Sequence, residues 1–404
     1  MKRHSFGNGI KVNYIKREGT LSSFCIGFDA GAIVEEKNEI GVAHAVEHMI
    51  FKGTKKRNEN KINLACDEVF GFHNAMTNYP YVIYYGTTLS SDFEKGFEIY
   101  SDIILNPIFP EEGFKEEIDI ILEELKEWKD DPYQDCEDEL YFNSFNKRRI
   151  KELIIGTEES IKNIRLEGIK EFYYKHYAPS NCIITIASSL DYEEVLKIIE
   201  NYFGSWEKEY LCEERDLYEI NNKGIFTKVR KGLNGAKIQY CFPIHFLDEE
   251  EISLLKIFNA RFGEGTSSVL YDEIRTRNGL VYDIGSSIKN ENGIKLFTIK
   301  LGTSEKNIDK AIKLIDNNIE NIKFSKGVFK ENNIRKIIKN MHLKEELKVE
   351  RSIELCKKIT TNEIMYDSVY DGLNEFKGNI GEYKILKVVN KVLKNPSIQV
   401  LRPE

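Results

Sequence analysis

His44, Glu47 and His48 stand in the order His-x-x-Glu-His inside an otherwise apolar run from Gly41 to Phe51. On a helix, positions i and i+4 lie one above the other on one face. His44 and His48 can therefore offer two imidazole nitrogens to one metal ion. Glu47, at i+3 from His44, lies on the same side and can reach a water held by that ion. Two neutral nitrogens and an open position suit zinc, whose catalytic sites combine three protein ligands with a water. Two of only seven histidines fall at this spacing with a carboxylate between them, an order known as an inverted zinc-site signature. The pattern favours a metal site over chance histidines in a buried helix.

The third ligand must come from another element. Phe114, Ile118, Ile121, Leu125 and Trp128 recur at helical spacing and predict an amphipathic helix. Glu117 and Glu124 lie seven residues apart, two turns, and share a face beside that apolar stripe. Glu123 is rotated by about 100° from Glu124 and points elsewhere.

The elements that must hold these residues follow from pattern. Alternating or continuous apolar residues, many aromatic or β-branched, predict strands over 9–15, 21–30, 81–89 and 182–188. Helices are predicted over 93–104, 111–128 and 192–203, with Asn106-Pro107 and Pro110 breaking the chain between the first two. Gly53, among Lys52, Lys55 and Lys56, is expected to cap the metal helix.

At 404 residues the chain suits two domains rather than one core. They are placed at 1–205 and 224–404, joined by a polar linker at 206–223 that lacks periodicity. The plan repeats: Leu270–Gly279 resembles Leu64–Gly71, and 305–322 resembles 93–104. The second half has no His-x-x-Glu-His, so only the first can bind zinc in this way. Its Gly-rich stretch Asn259–Ser268 lacks the Gly-Lys-Ser/Thr ending of a phosphate loop.

Composition narrows the class further. Hydrophobic residues at 41% and charged residues at 31% describe an ordinary soluble globular protein. A net charge of −8 argues against nucleic acid and is compatible with peptides carrying basic residues. Seven scattered cysteines with no Cys-x-x-Cys pair favour reduced thiols in the cytoplasm. Residues 1–9 have no apolar core of a secretory signal, and no apolar run is long enough to span a membrane.

With the metal helix, the distal glutamates and a later Arg-x(6)-Tyr segment taken together, the chain resembles the pitrilysin/insulysin family of inverted zinc metallopeptidases. Within it, the likeness is to the two-domain branch that includes the mitochondrial processing peptidase β-subunit. The resemblance runs from about residue 7 to the end. It implies an α+β fold of two related domains, each a mainly antiparallel sheet with helices packed on one side. It implies Zn2+ held by His44, His48 and Glu124, which stands 76 residues after His48. Glu117 is then the partner that orients Glu124, and Glu47 the general base.

The same resemblance places Asn74, Ala75 and Thr77 on a sheet edge beside the metal, where substrate joins as an added strand. Arg275 and Tyr282 take the roles of the Arg-x(6)-Tyr pair, which contacts substrate backbone and supports the transition state. The expected activity is endopeptidase cleavage of peptides or unfolded segments inside a closed chamber. This chain would supply one half of that chamber, and a second copy or a related chain the other. The alternative is a non-catalytic peptide-binding partner subunit of a processing-peptidase-like heteromer. One departure is Ala45, where the family often carries a bulky aromatic residue that shapes the neighbouring pocket.

Overall fold

The computed structural model describes residues 1–211, 215–368 and 380–404. The chain divides into two compact units that are not contiguous in sequence. The first comprises Met1–Lys126, Leu153–Asp216 and Leu347–Tyr370, the second Glu127–Glu152, Leu217–Glu346 and Asp371–Glu404. Contiguous halves at 1–205 and 224–404 therefore do not describe these units. Each unit contains a segment taken from the other half of the sequence.

The first unit is built on a six-stranded sheet in the order β1-β2-β6-β3-β5-β4. Its strands are β1 (Lys2–Ser5), β2 (Lys11–Lys16), β3 (Leu21–Phe28), β4 (Phe70–Thr77), β5 (Val82–Leu89) and β6 (Cys182–Ser188). All neighbours are antiparallel except β2 and β6. The middle strand β6 is buried at every residue, and β3 at every residue after Leu21.

Such continuous burial requires cover on both faces, because successive side chains point to opposite sides. Phe24 packs against Phe93, Phe97 and Tyr100 of the helix Phe93–Leu105. Cys25, the next residue, joins Ile353 and Cys356 of the helix Ser352–Tyr366. That helix is pinned further by Thr360, whose hydroxyl bonds Thr185 at 2.7 Å, and by buried Glu363, which takes Arg3 and Asn13. The two related sheets and their α+β plan are as expected. The face opposite the metal helix is covered as well, by a helix from far along the chain.

The second unit holds a five-stranded sheet, β7-β11-β8-β10-β9. Its strands are β7 (Gly224–Arg230), β8 (Ala236–Pro243), β9 (Val281–Lys289), β10 (Leu296–Thr303) and β11 (Ser397–Pro403). Position by position this is the order β2-β6-β3-β5-β4, including one parallel pair, β7 with β11. The repeat is thus one of topology as well as of local pattern. The helix Pro132–Ser144 serves this sheet as Ser352–Tyr366 serves the first. Cys136 Sγ lies 3.6 Å from the Lys237 carbonyl and 3.7 Å from that of Gln399, and Gln239 donates to the Tyr133 carbonyl at 2.7 Å.

Part of the expected linker is tied down rather than free. Glu219 Oε1 accepts from the backbone N–H groups of Asn146, Lys147 and Arg148 at 2.7–3.0 Å. Six of the cysteines are buried free thiols, and Cys212 lies outside the described residues. Among the described residues, no helix is long and apolar enough to cross a membrane.

Candidate metal centre

The His-x-x-Glu-His run forms the helix Val42–Ile50. Gly41 starts it with φ +92°, and a Cβ there would lie 2.7 Å from the Ile155 carbonyl oxygen, so the position requires glycine. Buried Glu35 accepts the N–H groups of Gly41 and Ala43 on Oε1 at 3.1 and 2.8 Å. A carboxylate six residues upstream thus caps the helix and complements its dipole. Sequence reading missed Glu35, because capping is sought at the residue adjoining the first turn. The helix ends with Phe51 as its cap. Gly53, expected in that role, instead pairs with Asn58.

Val42, Ala43, Ala45, Val46, Met49 and Ile50 are buried. His44, Glu47 and His48 are left on one partly open face. Ala45 is fully buried and contributes no exposed surface. Glu117 and Glu124 share the helix Phe114–Asp130, while Glu123 turns outward and pairs with Lys126.

The two helices bring three donors together. His48 Nε2 lies 3.4 Å and His44 Nε2 3.8 Å from Glu124 Oε2, and the ligand atoms of this trio all fall within 4.8 Å of one another. Zinc bonds of about 2.0–2.2 Å in a tetrahedron put neighbouring ligand atoms about 3.4 Å apart. Two imidazole nitrogens and one carboxylate oxygen at these separations fit the ion.

Glu117 does not orient Glu124, as the resemblance implied. One of its oxygens lies 2.8 Å from His48 Nδ1, and the other 2.8 Å from Lys52 Nζ. This carboxylate–histidine pairing fixes the imidazole ring with Nε2 available to a metal. Lys52 in turn reaches Glu59 at 2.8 Å.

The charges are unevenly distributed. Burial would lower His48, but the carboxylates of Glu117 and Glu124 outweigh it and hold the imidazole up at about 9. Burial would raise Glu117, yet His48 and Lys52 bring it down to about 2. His44 is pushed below the usual imidazole range by burial and by His48. Glu124 is lowered, first by its contact with His48.

In the metal-free protein His48 thus carries a proton at neutral pH, while His44 does not. A metal competes with that proton, so affinity rises with pH. Uptake at pH 7 is expected to release about one proton per site, and affinity to climb about tenfold per pH unit from 7 toward 9. Titration calorimetry in buffers of different ionisation enthalpy reads the proton count. An affinity that is flat with pH and no proton release would contradict this charge assignment.

Glu47 is held by a residue expected to touch substrate. Thr77, the last residue of β4, donates its hydroxyl to Glu47 Oε2. Burial raises the Glu47 carboxyl against that hydrogen bond, which makes the carboxylate a stronger base. Asn74 is exposed and Ala75 half-buried on the same strand. β4 pairs only with β5, so its outer edge has no strand partner among the described residues.

Arg275 and Tyr282 belong to the second unit, apart from the one that holds the metal cluster. Arg275 is exposed in a wide π-helical turn, Tyr271–Arg277, of a kind frequent at functional sites. Its guanidinium stacks 4.7 Å from the Tyr271 ring centroid. Tyr282, on β9, is 67% exposed.

Known proteins are similar to this chain in sequence and in fold. Two curated bacterial relatives are each described as an uncharacterized zinc protease. The one from Rickettsia bellii is 29% identical over 280 residues, covering 69% of this chain and 67% of its own. YmxG from Bacillus subtilis is 25% identical over 325 residues, covering 80% and 78%. A protease from Helicobacter pylori superposes with a TM-score of 0.87 at 19% identity, over 100% of this chain and 99% of that one. A structure from Pseudomonas fluorescens described as a peptidase M16 inactive domain gives 0.87 at 16% identity, over 100% and 98%. Residues 11–158, which hold the metal cluster, match the family described as insulinase (peptidase family M16). Residues 163–341, which have no such cluster among those described, match its peptidase M16 inactive domain. With both parts accounted for in sequence order, the chain belongs to the insulinase family of peptidases, family M16.

Proposed function

We propose that this chain is a zinc-dependent endopeptidase acting on peptides or unfolded segments. The observation that carries the reading is the convergence of His44, His48 and Glu124, with Glu47 held beside them by Thr77. When bound, zinc polarises a peptide carbonyl and lowers the pKa of water. Glu47 takes the proton of the attacking water on its carboxylate and passes it to the departing amine. Glu117 keeps the His48 ring oriented through Nδ1. The open edge of β4 near Asn74 and Ala75 binds substrate backbone as an added strand, which selects an extended chain over a folded one. An intact donor set gives the alternative, a non-catalytic peptide-binding subunit, no support. Purified protein should contain about one zinc per chain and hydrolyse an unfolded peptide, with activity abolished by a chelator. Activity persisting in protein that elemental analysis shows free of transition metal would overturn the reading.

Arg275 and Tyr282 are assigned to substrate backbone and to the developing oxyanion, as a charge-assisted donor and a phenol donor. We place the enzyme in the cytoplasm, as a closed dimer with a second copy or a related chain, each site completed by the partner's second unit. For a homodimer, Glu47→Gln and Tyr282→Phe proteins, each inactive alone, should then rescue each other on mixing. Random pairing makes half the dimers mixed, with one intact site in two, so about a quarter of wild-type sites return. Activity no higher than the mean of the two variants, with subunit exchange verified, would exclude a shared site.

A further inference from the structure

The first unit carries a cleft of about 880 Å3 at the end of the sheet where β3 and β4 begin and β5 ends. The most exposed apolar side chains of its lining are Leu21, Phe72 and Leu89, at 52%, 41% and 52%. Arg351 closes one side, 5.7 Å from the Phe72 ring centroid. The charged residues of the lining are two arginines, Arg17 and Arg351, and three glutamates, Glu18, Glu68 and Glu350. Charges of both signs give the cleft no preference for one ionic ligand, so its apolar surface decides what it takes.

The cleft is continuous with the edge strand of the metal site. β4 ends at Thr77, which holds Glu47, and begins at Phe70, with Phe70–Phe72 in the cleft wall. From Thr77 back to Phe72 is five residues, about 17 Å of strand. Between Phe70 and Phe72 the pairing with β5 is irregular. At Gly71 an added Cβ would meet nothing closer than the Thr87 carbonyl oxygen at 3.9 Å. The backbone there remains open to an approaching chain.

We propose that this cleft is a distal subsite of the peptide site, taking a bulky apolar side chain about five residues from the one opposite Thr77. The proposal rests on the reading of β4 as a peptide-binding edge. A volume within the usual 300–1,000 Å3 of ligand pockets holds more than one side chain. The enzyme would thus favour extended segments with an apolar residue well away from the bond that is cut.

The test uses full-length Glu47→Gln protein loaded with zinc and a fluorescent core peptide that binds it. Extending that peptide by five or six residues ending in Leu-Leu, at one terminus or the other, should tighten Kd at least tenfold over a Ser-Ser extension. Leu21→Glu and Leu89→Glu, both at exposed positions, should abolish the gain and leave core-peptide binding unchanged. No gain at either terminus, or a gain that survives both substitutions, would overturn the subsite. Failure of every core peptide to bind would instead sink the peptidase reading, and this proposal with it.

Discussion

Glu47→Gln should keep one zinc per chain and lose turnover by about 10²–10⁴-fold, the usual size of a general acid–base contribution. Glutamine has the shape of glutamate, and its amide oxygen can still accept the Thr77 hydroxyl, so the side chain stays in place. It has lost the ability to take a proton at that position. The metal is held by His44, His48 and Glu124, none of which is touched. His44→Ala, His48→Ala or Glu124→Ala should behave differently, losing metal and turnover together. Metal content by elemental analysis and kcat on an unfolded peptide separate the two classes. A Glu47→Gln protein that turns over at the wild-type rate would remove Glu47 as the base.

The two histidines and the pair of candidate glutamates were legible in the sequence because helical periodicity is rigid, and the choice of Glu124 as ligand came from the family resemblance. Residues four or seven apart must share a face, so both glutamates could be placed beside each other before any contact was known. Which of them meets the metal depends on how far one helix slides along the other, and neither helix records that. Glu117 therefore lands on His48 and Lys52 instead of Glu124. The Glu47–Thr77 contact has the same origin, a strand end and a helix face brought together by tertiary packing. Strand β1 passed unnoticed because Lys2–Ser5 is polar and mostly exposed. The unit boundaries were hidden for a further reason: an amphipathic helix announces that one face is buried without saying against which sheet.

Residues 1–205 expressed alone should fail to form a cooperatively folded domain, although they contain the metal cluster and the whole six-stranded sheet. The missing helix Ser352–Tyr366 covers Cys25, Ile83, Tyr85 and Ala187 with Ile353 and Cys356. Without it, buried Thr185 loses the Thr360 hydroxyl, and Arg3 and Asn13 lose Glu363. Burial of side chains such as Ile353, Ile359, Ile83 and Tyr85 is worth about 2 kcal/mol each. A loss of that sum approaches the entire stability of a domain, about 5–15 kcal/mol. The fragment would also expose Cys136 and Leu140 on the helix Pro132–Ser144, which belongs to the second unit. Broad thermal unfolding, binding of a hydrophobic dye and weak zinc retention are expected. Adding a peptide of residues 347–368 should sharpen the transition, since it returns the missing cover. A fragment that unfolds in one sharp transition and holds zinc like the full chain would show that the sheet does not depend on this helix.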